Sequence, residues 1–380
     1  MKKFLICFMV PLLLWACNEK KEIKKTTEVN AIRVGIFDTN GDSPGCITDA
    51  YEALRIDSLI QPEVIGAATI MSEAIFDYDL ILFPGGSGKA QTIKLGQLGM
   101  QRVQNLVKEH GIGVLGICAG SYVLSQTESY PSLDLSGFEA IDIEHDHRGH
   151  GLVQFSLTPE GQKLFPELTG KEIWFSKYYE GPVLTTPAEP LFKGVSLSTM
   201  LSDVHTVEGT PANMTNNRPF ITATEAGKGK VVTFVGHPEN TPGMRWMIPR
   251  MVRWAVNKPL LGYSSEVVRP HIYQDELLYT KEQLEQQKRY FEMLWGSSDE
   301  KVEAITSLVE QSSWSAKKQV IGLLRDEAPQ VRMAAAKAIV ELERTDAIDD
   351  LAVAVSTEKD EAIKIQLEEL LQRLESILGK

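Results

Sequence analysis

The stretch Gly113-Val114-Leu115-Gly116-Ile117-Cys118-Ala119-Gly120-Ser121-Tyr122 decides how the chain is read. Its first five residues carry no charge and have the apolar bulk of a strand buried on both faces. Cys118 follows directly, before a helical pattern, with Gly116 and Gly120 two positions away on either side. A nucleophile on such a strand-to-helix turn has a strained backbone, and the neighbours packed against it must be small. The turn also sets the sulfur at a helix N-terminus, where the dipole favours the thiolate. Such a nucleophile needs a base.

Val231 to Val235 is a second apolar strand, and Gly236-His237-Pro238-Glu239 follows it. His237 is placed to take the Cys118 proton, and Glu239, turned back past Pro238, to orient the other ring nitrogen. A third strand, Asp79 to Phe83, runs into Pro84-Gly85-Gly86-Ser87-Gly88. Glycines there let backbone N–H groups face a developing oxyanion, with the Ala119 N–H as second donor.

Further out, Ile32 to Phe37 is another short apolar run, and helical patterns at Ile47 to Ile56 and Met100 to Glu109 separate these strands. Buried strands alternating with helices of that length predict an α/β domain, a mostly parallel sheet with helices on both faces. In such sheets the active crevice lies at the carboxyl ends of the strands. The composition changes near position 280. Of 29 glycines only Gly296, Gly322 and Gly379 lie beyond it, and of 18 prolines only Pro329. From there the pattern is helical, and Ala328 to Leu342 is echoed 32 residues later by Asp360 to Leu374. The phrase DEAPQVRMAAAKAI resembles the HEAT repeat, which implies an all-α repeat domain over 281–380 that docks a protein partner or packs on its own neighbour.

GICAG, PGGSG and HPE, in that order and spacing, resemble the class I glutamine amidotransferase superfamily. FPGGSG, LGICAGSY, YYEGPV and GKGKVVTFVGHPE are closer still to the domain named after the N-terminal region of biotin-protein ligases. The similarity covers about residues 31 to 258. It implies an amidotransferase-like fold, Cys118 as nucleophile, His237 as base, Glu239 as orienting acid, and Gly86 and Ala119 as oxyanion donors. It implies neither biotin ligation nor glutamine-dependent synthesis, because the chain holds no ligase catalytic domain and no ammonia acceptor.

The remaining features set the context. Lys2 and Lys3 precede an apolar run, Phe4 to Trp15, too short to span about 30 Å of hydrocarbon. The run ends Leu14-Trp15-Ala16-Cys17, which resembles the lipobox of bacterial lipoproteins. That implies a signal peptide over 1–16, lipidation of Cys17, and a protein held on a bacterial membrane in the cell envelope, periplasmic or surface-facing. Residues 17–30 are charged and poor in large apolar side chains, so they read as a disordered tether. The amidotransferase-like domain is then 31–262, with a linker over 263–280. Lys and Arg number 39 against 51 acids, a net charge of −12, and no basic cluster interrupts it, which argues against nucleic acid as a partner.

Weaker signals surround the crevice. Glu144 to His150 holds His145, His147 and His150, read as a polar loop with no metal called for. Tyr122, Tyr178 and Glu180 are candidate pocket walls. Cys46, after a Gly/Ser/Pro loop, reads as structural. Two functions fit: a cysteine hydrolase acting, without a cofactor, on an amide or γ-glutamyl-type bond of a small or peptidic substrate, or a non-catalytic envelope binding or scaffold lipoprotein.

Overall fold

The computed structural model describes residues 31–38, 43–313 and 316–378. The signal-like segment, Cys17 and the tether lie outside them. In chain order the strands are β1 (Ile32–Phe37), β2 (Ile60–Ile65), β3 (Leu80–Phe83), β4 (Gly113–Ile117), β5 (Glu139–Ala140), β6 (His150–Leu157), β7 (Trp174–Tyr179), β8 (Leu184–Thr185), β9 (Gly194–Met200), β10 (Arg218–Ala226), β11 (Gly229–Phe234) and β12 (Leu277–Leu278). The helices are α1 (Pro44–Leu54), α2 (Ala67–Met71), α3 (Gly88–His110), α4 (Ala119–Leu124), α5 (Pro159–Leu164), α6 (Met247–Ala255), α7 (Lys281–Met293), α8 (Ser298–Glu310), α9 (Lys317–Gly322), α10 (Pro329–Glu341), α11 (Ile348–Thr357) and α12 (Glu361–Ser376).

Strands β2, β1, β3, β4 and β11 lie side by side and run parallel. Every residue of β3 and β4 is buried, which is why they read as unbroken apolar runs. One face carries α1 and α6, and the other carries α3, each over its own apolar cluster. The α/β architecture with a helical C-terminal region is therefore as the sequence predicts, with one addition. Beyond β11 the sheet continues antiparallel through β10, β9 and β6, and β6 also pairs with β7 and β12. Gly227, at φ +67°, makes the tight turn between β10 and β11.

The C-terminal helices pack in succession, α8 on α10 and α10 on α12. Their core is continuous with that of the sheet domain. The segment between the two, 263–280, is half exposed but anchored at points: Val267 and Tyr279 are buried, β12 joins the edge of β6, and the Tyr279 hydroxyl donates to the carbonyl of Ser312 at 2.8 Å.

Candidate active site

The site is a product of strand order. Strands β4 and β11 are parallel neighbours with Ile117 opposite Phe234, so the residues just past their ends emerge together. Cys118 is one residue past β4 and His237 three past β11. The Cys118 N–H donates to the Phe234 carbonyl at 2.7 Å, and the Ser121 hydroxyl donates to the same oxygen at 2.8 Å. Beyond β11, the His237 N–H donates to the Lys177 carbonyl at 2.7 Å, stitching the segment to β7.

Cys118 has φ 51° and ψ −106°, a left-handed conformation that costs a non-glycine residue about 1 to 3 kcal/mol. The flanking glycines make it attainable. A Cβ on Gly120 would stand 2.0 Å from the Phe83 carbonyl oxygen, and one on Gly116 would stand 2.5 Å from the Gly120 carbonyl oxygen. The helix behind the turn, α4, is only six residues long, so its dipole is a weaker aid to the thiolate than the sequence suggests.

His237 is 2% exposed, and its ring faces the Cys118 sulfur. Its Nδ1 bonds Glu239 Oε1 at 2.7 Å, which fixes the ring's orientation. Burial works against a charge on His237, but the facing sulfur and the Glu239 carboxylate outweigh it and push the imidazole up to about 10. Sulfur, imidazole and carboxylate, from segments more than a hundred residues apart, meet at one place.

Cys118 and His237 open onto a cavity of about 810 Å³, which Gly86 and Ala119 also line. Gly86 has φ +110°, and a Cβ there would fall 1.8 Å from Ser43 Oγ, so both its conformation and its space demand glycine. Tyr122 lines the wall and donates to Asp142 at 2.5 Å, its ring 5.6 Å from that of Tyr130. Glu180 lines the opposite wall, its carboxylate 3.0 Å from His147 Nδ1, a contact that raises the His147 pKa. The Tyr179 carbonyl lies 3.3 Å from Cys118 Sγ and leaves the cysteine 6% exposed.

Tyr178 is a correction. Residues alternate in direction along β7, so Tyr179 faces the cavity while Tyr178 lies beneath it, donating to the Gly181 carbonyl at 2.8 Å and accepting from Arg148. Cys46 also departs from its structural reading, since it lines the same cavity as Cys118. Asp146, from the 144–150 loop, lines it too, as do Lys89 and Tyr130, to which no motif pointed. The three histidines of the 144–150 loop diverge: His147 meets Glu180, and His150 stacks on Tyr179 at 4.4 Å. Among the described residues no three His, Cys, Asp or Glu side chains cluster as metal ligands, and no helix is long and apolar enough to cross a membrane.

Residues 296–372 match the family described as HEAT repeats. No curated protein matches the chain. Among solved structures, a ThuA-like protein of Parabacteroides merdae is similar at TM-score 0.45 and 12% identity, over 63% of this chain and 95% of that one. The glutaminase domain of Trypanosoma brucei CTPS, with bound acivicin, aligns at TM-score 0.40 and 11% identity, over 62% and 98%. A glutamine amidotransferase from Methylobacillus flagellatus aligns at TM-score 0.36 and 15% identity, over 57% and 72%. At these scores the likeness is one of outline, and nothing about the site follows from it.

Proposed function

We propose that the protein is a cysteine hydrolase that cleaves an amide or γ-glutamyl-type bond of a small or peptidic substrate through a thioester. One observation carries this: a cysteine on a strained turn, lining a cavity, with a histidine facing it that a buried glutamate orients. His237 takes the Cys118 proton as the sulfur attacks the substrate carbonyl carbon. The resulting oxyanion is received by the Gly86 and Ala119 N–H groups. His237 then gives its proton to the leaving amine as the C–N bond breaks, which leaves a thioester. Water attacks the thioester, His237 takes its proton, and the acid departs as the thiolate is restored. The test is peptide-resolved labelling with iodoacetamide. Cys118 should react faster than Cys46, His237→Ala should erase the difference, and Cys118→Ser should abolish turnover in a screen of γ-glutamyl and peptidoglycan-derived amides. Equal labelling of both thiols in the parent defeats the proposal.

The Tyr179 carbonyl against the sulfur favours a second reading, an envelope binding protein whose cavity holds a ligand without turnover. It requires that Cys118→Ala keep the cellular phenotype while deletion of 281–380 loses it. We also propose that Cys17 carries the lipid anchor; an alkyne-palmitate label that persists in Cys17→Ser would refute this.

A further inference from the structure

The repeats reach the triad from behind. The turn after α10 packs on α1, and α1 packs in turn on the single turn Pro238–Asn240 that carries Glu239; residues of both turns line one small void. Arg344 donates to Asp49 Oδ1 at 2.7 Å, and Asp49 Oδ2 accepts from Asn240 Nδ2 at 2.5 Å. Asn240 is the residue after Glu239, and its side-chain oxygen accepts from Lys177 Nζ at 3.1 Å. Thr345 adds a bond to Glu52 at 2.7 Å and accepts one from Arg245 at 3.0 Å.

A second observation lies in the same seam. Glu239 uses Oε1 on His237, while its buried Oε2 has no hydrogen-bond partner among the described residues. Arg344 Nε is buried and equally unpartnered among them. The two residues line one small void of about 10 Å³, close to the space a single water takes. One orphan is an acceptor and the other a donor, so a water between them satisfies both. The void is otherwise rich in acid, with Asp49, Glu52, Glu343 and Asp346 on its walls, and only Arg245 and Arg344 supply positive charge.

We propose that Arg344 is a positioning residue for the triad, acting on Glu239 and its turn through Asp49 and Asn240 and across the water-sized void. The repeat domain then completes the catalytic site of the sheet domain. This rests on the hydrolase reading of Cys118 given above. Without Arg344 the acidic wall repels Glu239, its turn loosens, and the His237 ring loses its fixed orientation.

The experiment measures the pH profile of iodoacetamide labelling at Cys118 in the full chain, with melting temperature alongside, for Arg344→Ala, Arg344→Lys, Asp49→Asn and, as a control, Arg325→Ala. Arg325 pairs with Asp350 on the exposed side of the repeats. The Ala and Asn variants should slow labelling roughly tenfold and displace the profile, the low end of what loss of an outer partner costs at metal-bound histidines. Arg344→Lys should recover part of the rate, and Arg325→Ala should match the parent. A folded Arg344→Ala with the parent's profile overturns the proposal. If that variant fails to fold, the near-isosteric Asp49→Asn decides in its place, and an unchanged profile overturns it. A parent whose Cys118 reacts no faster than glutathione instead refutes the nucleophile reading, and this proposal falls with it.

Discussion

Gly85→Ala bears most directly on the placement of His237. Gly85 lies outside the left-handed region, so alanine is conformationally admissible there. The new Cβ would stand 2.8 Å from His237 Cε1 and 3.1 Å from Cys46 Sγ. Carbon atoms in contact settle at about 3.5 to 4.0 Å, so the ring must retreat by about 0.7 Å. Cε1 is bonded to both ring nitrogens, and its retreat disturbs the bond to Glu239 and the ring's approach to Cys118 at once. A misplacement of about 1 Å costs on the order of a hundredfold in rate, so this one should cost roughly tenfold. The assay is the second-order rate of iodoacetamide labelling at Cys118 at neutral pH, with a thermal melt to show that the fold survives. A variant that melts like the parent and labels at the parent's rate would refute the claim that the imidazole's position governs the sulfur.

Stability should depend on pH through the same pair. His237 is raised from 6.5 to about 10, so its ion pair stabilises the fold fully below about 6.5 and is lost as pH rises through about 10. Denaturant titrations across that window should show the parent losing stability where His237→Gln does not, and parallel curves would count against the ion pair. Arg148→Met should cost about 3 kcal/mol, because it strands Asp142, with which Arg148 forms a buried pair under the cavity wall. Urea unfolding reads this directly, and a loss below about 1 kcal/mol would place the pair among those of surface strength.

What could be read in advance follows burial. Strands β3 and β4 are enclosed on both faces, so every position is apolar and the strand announces itself. The antiparallel half hides because it buries hydroxyls. Thr222 and Thr224 sit buried on β10, Thr222 bonded to Thr233 of β11 at 2.6 Å, so β10 shows no clean apolar pattern. Cys118, His237 and Glu239 were legible because each follows a strand within a few residues, where local sequence dictates position. Tyr178 was misplaced through a one-residue ambiguity about which face of β7 points into the cavity. The Arg344 seam left no local trace, since Arg344 and Asp49 are 295 residues apart and each reads as an ordinary surface charge.

The short strand β12 has a consequence for how the chain can be divided. It lies along Gly151 and Leu152 of β6, on the side of that strand where β9 pairs only with Phe155 to Leu157. Cutting near residue 262 would uncover those main-chain groups and offer them to the same strand of another copy, a known route to aggregation. The connecting segment therefore belongs with the sheet it borders, because its β12 covers an edge that the sheet cannot close alone.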